Sequence, residues 1–232
     1  MTLQSLVRHY SALWKALRWD EDRPRRTEET LLLADRVRDA LDRHLETLEE
    51  RDPQFIANSF VLEERLYESE RAEVHAIRHR DLGTRFALKT LPPAAADDVV
   101  TRRLLLREAR LGMTVSHRHV LCTRLTLRLP DGRPALIADL MQDSLADRLI
   151  RGTLTATEIE AVMQGLLHGL EAVHAAGLTH CDVAPGNLLF ADTGFEHVRL
   201  ADFGIALRPG ESHSGLDVSF AGHPDFAAPE QL

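Results

Sequence analysis

The stretch RFALKTL, residues 85–91, holds Lys89, one of two lysines in a chain with 26 arginines. A guanidinium is a planar fork, whereas an ammonium is a compact point charge on a flexible stem. A lysine kept in so arginine-rich a chain therefore marks a position where the fork does not fit. The other lysine, Lys15, falls on a solvated helix and supports no such argument. Further along, Leu104, Glu108 and Leu111 stand at i, i+4 and i+7, which puts Glu108 on the inward stripe of a helix. An inward carboxylate without a partner is very costly, and Lys89 is a partner within reach of the pattern. On its own, such a pair reads equally well as a structural salt bridge. More polar groups gather downstream: His180, Asp182 and Asn187 in THCDVAPGNLLF, and Asp202 in LADFGIA.

These residues need elements to position them. FVLEERLY, AEVHAIRH and RFALKTL alternate apolar and polar residues, which predicts a three-stranded antiparallel meander with Gly83 in a turn. Asp97 or Asp98 can cap a helix running to about Leu111. LCTRLTLRL and PALIADL predict two more strands, joined by a turn at Pro130-Asp131-Gly132. SLADRLI and the stripe Ile159, Val162, Met163, Leu166, Leu167, Leu170 and Val173, ending at Gly177, then predict helices. Strands with one inserted helix, followed by helices, give an α+β fold in two lobes.

Ahead of these, residues 1–54 predict a helical extension. Its first helix carries Leu3, Leu6, Tyr10, Leu13 and Leu17 on one stripe, and a second runs from Thr27 to about Glu50 before Asp52-Pro53. The expected organisation is 1–54 as this extension and 55–232 as the main domain, with a small lobe at about 55–138 and part of a large lobe at about 142–232.

Composition narrows the classes further. With 44% hydrophobic residues among 232, there is ample material for a core. A net charge of −8 with acids and bases interleaved argues against nucleic acid or an anionic membrane surface as the main partner. Neither an h-region nor an apolar run of spanning length is present, so the expected compartment is the cytoplasm. Cys122 and Cys181 are expected to be free thiols, and the twelve histidines show no zinc spacing.

The motifs F-A-L-K, H-C-D-V-A-P-G-N, D-F-G and A-P-E, in this order, resemble the catalytic set of protein kinases, of the bacterial serine/threonine type. The resemblance covers about Phe55 to Leu232. It implies a protein-kinase-like two-lobed fold and an ATP- and Mg2+-dependent transfer of the γ-phosphoryl group to a protein hydroxyl. By the resemblance, Lys89 holds the α and β phosphates and Glu108 orients it. Asp182 accepts the proton of the substrate hydroxyl, while Asn187 and Asp202 hold magnesium. Val74, Ala87 and Leu189 enclose adenine, and Asp139 and Met141 offer it hinge backbone, with Ala138 as a small gatekeeper.

The sequence departs from the family pattern at several places. The glycine-rich loop falls on YESERAEV, with Tyr67, Ser69 and Ala72 at the glycine positions, and Glu68, Glu70 and Glu73 would repel phosphates if they faced them. Cys181 replaces an arginine that receives an activation-loop phosphate, leaving Ser212, Ser214 and Ser219 as other phosphorylation candidates. Ala184 stands in place of a lysine and His223 in place of a threonine. Gly112 replaces a bulky spine residue, which would leave Glu108 loosely held. Arg102, Arg103, Arg107 and Arg110 are expected on the solvated face of the Glu108 helix. The chain stops two residues after A-P-E, so the large lobe is expected to be incomplete and Glu230 to lack its arginine, as in a truncated product of a longer kinase or a chain whose exposed apolar stripe is covered by a partner chain, by self-association or by the N-terminal helices. A regulatory binding module and a small-molecule phosphotransferase are the alternative readings.

Overall fold

The computed structural model describes residues 3–216 and 222–231, apart from 22, 28, 31–32, 35–36, 38–54 and 58. The chain divides into two compact units, Met1–Gln54 and Phe55–Leu232. In the first, helix α1 (Leu3–Arg18) leads into a two-stranded hairpin, β1 (Trp19–Asp20) and β2 (Arg23–Pro24). On α1, Tyr10 and Trp14 stack with their centroids 6.4 Å apart, and Arg18 lies over the Trp14 ring. Both rings are exposed, as is Leu13, while Leu17 is half-buried. Of the second helix, Thr27, Glu29, Thr30, Leu33, Ala34 and Val37 are helical, and the rest lies outside the described residues.

The second unit opens with β3 (Phe55–Ile56), β4 (Phe60–Glu68), β5 (Glu73–His79) and β6 (Arg85–Thr90). After helix α2 (Val99–Gly112) come β7 (Thr123–Arg128) and β8 (Pro134–Asp139). Together they form an antiparallel six-stranded sheet in the order β3-β4-β5-β6-β8-β7. The alternation read from the sequence sets its two faces. Ile77, Leu88 and Ile137 pack with Phe60 into an apolar cluster on one side, while Val74 opposes Lys89 and Ala87 opposes Ala138 on the other. Each fully buried aliphatic side chain of this kind stabilises by about 1.5–3 kcal/mol.

Helix α2 begins where Asp98 accepts from the amides of Val100 (2.9 Å) and Thr101 (3.3 Å), satisfying two of the free N–H groups of a first turn. Leu105 and Ala109 bury its inner face against Leu91 and Leu136. At its end, Gly112 lies so close to β7 that a Cβ there would fall 2.6 Å from Thr123 Oγ1. The expected thin spot is therefore a close approach of helix to strand, with Thr123 occupying the space.

Beyond β8 the hinge leads to β9 (Asp143–Ser144), α3 (Leu145–Arg151) and α4 (Ala156–Ala175). They are followed by β10 (Leu188–Phe190) and β11 (Arg199–Leu200), which form a small sheet in the order β11-β10-β9. Reciprocal capping boxes, Ser144 with Asp147 and Thr155 with Glu158, start α3 and α4. Val162, Leu166 and Val173 of α4 enter the large-lobe core with Leu188, Phe190, Val198, Leu200 and Phe203. Ile159, Met163 and Leu167 on the other face are exposed. Between Gly165 and Gly169 of α4 sits buried His119, with its carbonyl 2.7 Å from where a Cβ on Gly169 would be. Its ring Nδ1–H donates to the Val198 carbonyl at 2.9 Å, and its own carbonyl accepts from the Leu200 amide at 2.9 Å. Helix α4 thereby fixes β11, the strand that delivers Asp202.

Candidate active site

Lys89 projects from β6 and meets two carboxylates. Its Nζ lies 2.8 Å from Glu108 Oε1 and 3.0 Å from Asp202 Oδ2. Burial alone would lower the lysine pKa, but Asp202 and Glu108 outweigh it and hold the ammonium above its usual value. Burial also dominates at Glu108: opposed by Lys89 and assisted by repulsion from Asp202, it raises the pKa to about 7. For Asp202 burial acts upward, but Lys89 and the Gly204 amide, 3.0 Å from Oδ1, prevail and hold it below the ordinary carboxylate range. One lysine thus serves two acids, buried Glu108 and half-buried Asp202, and the less favoured one, Glu108, takes a proton in the neutral range.

The catalytic loop is built from its own polar groups. His180 is 1% exposed; its Nε2–H donates to the Ala201 carbonyl at 3.1 Å, its Nδ1 accepts from the Asp182 amide at 3.3 Å, and its ring meets Phe203 edge-on. Burial lowers its pKa, which fits a neutral ring that donates with one nitrogen and accepts with the other. Asn187 Nδ2 donates to the Asp182 carbonyl (2.9 Å) and to Oδ2 (2.8 Å), and the Asn187 carbonyl accepts from the Ala201 amide at 2.8 Å. Cys181 and Asp202, beside and within the site, have φ of +65° and +68°. Non-glycine residues adopt this region at an energetic cost, which the surrounding hydrogen bonds offset.

His223 closes over Asp182. Its amide donates to Asp182 Oδ1 at 3.1 Å, and its ring Nδ1 lies 2.9 Å from the same oxygen. Gly222 (φ +112°) makes this seat possible, since a Cβ there would lie 3.1 Å from Asp182 Oδ1 in a conformation L-residues rarely adopt. Gln231 Nε2 adds a second tie, donating to the Cys181 carbonyl at 2.9 Å. Ser219 and the side chain of Glu230 lie outside the described residues.

Strand register brings Val74, Ala87 and Ala138 to the same face of the sheet as Lys89. Leu189 lies half-buried on β10, beside the hinge exit, where the Gln142 amide donates to the Phe190 carbonyl at 2.7 Å. Among the described residues the Met141 amide has no backbone or side-chain partner. The Asp139 side chain points the other way, toward Arg124 (2.8 Å) and Arg199 (2.6 Å), so only its backbone can serve the nucleotide face.

The structure defines the loop after β4 and corrects the expectation for the α2 arginines. The loop after β4 is a self-contained turn: Ser69 Oγ accepts from the amides of Arg71 (3.4 Å) and Ala72 (3.1 Å), and the Ser69 amide donates to Ala72 at 2.8 Å. Glu73 is not part of a phosphate-facing acidic loop but is buried beside His75, at 3.2 Å, because a short hairpin draws it into the sheet. Arg102 and Arg107 are not on a solvated face. Arg102 donates to the carbonyls of Ala96 (2.8 Å) and Gly132 (3.0 Å), whereas Arg107 donates to Ala206 at 2.8 Å and forms an ion pair with Glu211. Sequence reasoning missed this link because its partners lie 104 residues apart with no local pattern.

The order of elements agrees with comparison to known proteins. Residues 60–232 match the protein kinase domain family. The chain belongs to that family. Its kinase domain is 35% identical over 132 residues to the serine/threonine-protein kinase PknK of Mycobacterium tuberculosis, covering 56% of this chain and 12% of that protein. With the serine/threonine-protein kinase PkaA of Streptomyces coelicolor it shares 29% identity over 189 residues, 75% of this chain and 35% of the relative. The chain thus spans a small part of these relatives. A crystal structure titled as the kinase domain of PF14_0431 superposes with a TM-score of 0.63 at 17% identity, over 72% of this chain and 56% of that one, and supports the fold. Among the described residues no helix is long and apolar enough to cross a membrane.

Proposed function

We propose that this kinase domain transfers the γ-phosphoryl group of ATP to a serine or threonine hydroxyl of a protein, with Mg2+. The observation carrying this reading is the joint placement of Lys89 between Glu108 and Asp202 and of Asn187 on Asp182. Lys89, oriented by Glu108, binds phosphate oxygens as a point charge. Asp182, fixed through one oxygen by Asn187 and through the other by His223, keeps lone-pair capacity to accept the substrate hydroxyl proton. Val74, Ala87 and Leu189 supply apolar surface for the adenine ring, and the Asp139 and Met141 backbone its polar edge.

The residues fit a magnesium ion. Asn187 spends its Nδ2 on Asp182, leaving Oδ1 without a partner among the described residues, and Asp202 is held as a carboxylate. These are hard oxygen donors of the kind Mg2+ takes alongside phosphate. When bound, the ion would offset the charge that develops on the phosphates during transfer. Incubation with radiolabelled ATP and Mg2+ should label the protein or a generic protein substrate, and labelling should vanish in Asp182→Ala. Labelling that persists there would overturn the assignment of the base.

A second reading, a regulatory binding module, is favoured by one observation: the Arg71 and Ala72 amides, which a phosphate-cradling loop would leave free, are engaged by Ser69 Oγ. Partner binding indifferent to Lys89→Met and Asp202→Ala, with no turnover, would support it.

A further inference from the structure

The sheet that carries Lys89 turns a different chemistry to its rear, at β7 and the end of β8. On the opposite face of β8 from Ala138, a cavity of about 470 Å3 opens behind the hinge, within the range of small-ligand pockets. Its polar wall consists of Ser116, His117 and Arg118 from the loop after α2, Arg124 from β7, Asp139 from the end of β8, and Arg199 from β11. In a chain of net charge −8, three guanidiniums here face a single carboxylate.

The hydrogen bonds leave a surplus of donors. Arg124 uses Nε and Nη2 on Asp139, both at 2.8 Å, and keeps Nη1 free. Arg199 uses Nη1 on the same carboxylate, at 2.6 Å, and keeps Nε and Nη2. Among the described residues, Arg118 and the Ser116 hydroxyl have no hydrogen-bond partner, and both residues are exposed. His117 Nδ1 accepts from the His119 amide at 3.3 Å, which leaves Nε2–H as a further donor. Asp139 is thus outnumbered: it neutralises one guanidinium and orients two.

We propose that this cavity is an anion site for a phosphoryl group, whether free phosphate or the phosphate of a modified side chain. A dianion would balance the two uncompensated guanidiniums, and its three terminal oxygens suit forked donors arriving from different strands. Since Arg124, Asp139 and Arg199 come from the small-lobe sheet, the hinge and the large-lobe sheet, an anion seated on them would bridge the two lobes at the rear. The site is independent of phosphoryl transfer at Lys89, and its test needs no turnover.

The test is a titration of the purified chain with inorganic phosphate, and separately with a phosphoserine tripeptide, against chloride at equal ionic strength, read by amide chemical shifts. Saturable shifts confined to residues around the cavity are expected, weakened about tenfold in Arg118→Gln and in Arg199→Gln, each of which removes charged donors. Shifts centred on residues around Lys89 rather than around the cavity would overturn the proposal, which separates this cavity from the nucleotide face without altering either. Tighter binding of the phosphoserine peptide than of phosphate assigns the site to a modified side chain, and the reverse assigns it to the free ion. Arg118 is exposed, so its replacement tests the site without endangering the fold. Absence of saturation, or equal affinity in wild type and Arg118→Gln, would overturn the proposal.

Discussion

The catalytic loop and the β4–β5 loop differ in how they spend their polar groups. From His180 to Asn187, hydrogen bonds hold functional atoms in place yet leave capacity for a ligand, as with Asn187 Oδ1 and the remaining lone pairs of Asp182. Around Ser69, the bonds close on themselves: hydroxyl and amide groups of residues 69–72 satisfy one another, so the turn is stable without any phosphate. One loop is organised toward something that binds, the other toward its own conformation. On the proposed function, the site keeps its reacting side chains while giving up backbone contacts to the nucleotide, and affinity would rest on Lys89, Asn187 and Asp202.

Five substitutions or conditions would break or sharpen this contrast. Asp182→Ala should have the largest effect, a loss of about a thousandfold in labelling rate at unchanged thermal stability to within a few degrees, since removal of a positioned base costs about 10²–10⁴. Lys89→Met should come next, because it leaves buried Glu108, beside half-buried Asp202, without its cation; removal of one partner of a buried pair costs about 3–5 kcal/mol. Thermal melts will read this loss, and it should be smaller at mildly acidic pH, where Glu108 can take up a proton.

The same carboxyl gives the wild type a pH signature. Its pKa is raised from 4.5 when unfolded to about 7 when folded, so the folded state binds the extra proton. The resulting stabilisation is complete below about pH 4.5 and is lost as pH rises through about 7. Denaturant melts across this interval should show that downward contribution, and Glu108→Gln should remove it.

His223→Ala should slow transfer about tenfold with the KM for ATP unchanged, as expected of a lost hydrogen bond to a charged group. His223→Asn, whose Nδ2 can replace the ring Nδ1 as donor, should recover most of the rate. The smallest effect is expected for Ser69→Gly, which releases the Arg71 and Ala72 amides: ATP should bind about threefold more tightly by calorimetry. No gain would mean that the turn does not limit nucleotide binding.

Much of this arrangement was legible before the structure. Period-two alternation set the faces of β5 and β6, and Asp97 or Asp98 as the cap located the start of α2, which the structure settles as Asp98, because these signals act within a few residues. The inward position of Glu108 followed from helical spacing, and its pairing with Lys89 from the cost of a buried charge. Strands β9, β10 and β11 were not legible, since two or three residues carry no period. Neither were the Arg107–Glu211 and Asp139–Arg199 pairs, whose partners meet only after the lobes form. The role of Gly112 was misread for a related reason: a missing side chain leaves a gap only if nothing moves in, and Thr123 does. The positive φ of Cys181 and Asp202 likewise leaves no trace in residue type.

The central claim is that a nucleotide–magnesium site stands on Lys89 and Asp202 despite the closed turn at Ser69. Thermal melting of the purified chain with ATP, with and without Mg2+, tests it most directly, because a ligand that binds only the folded state raises the melting temperature by mass action. The account predicts a magnesium-dependent rise that disappears in both Lys89→Met and Asp202→Ala. A cooperative melt that ATP and magnesium do not shift, or a shift that survives in both variants, would contradict it.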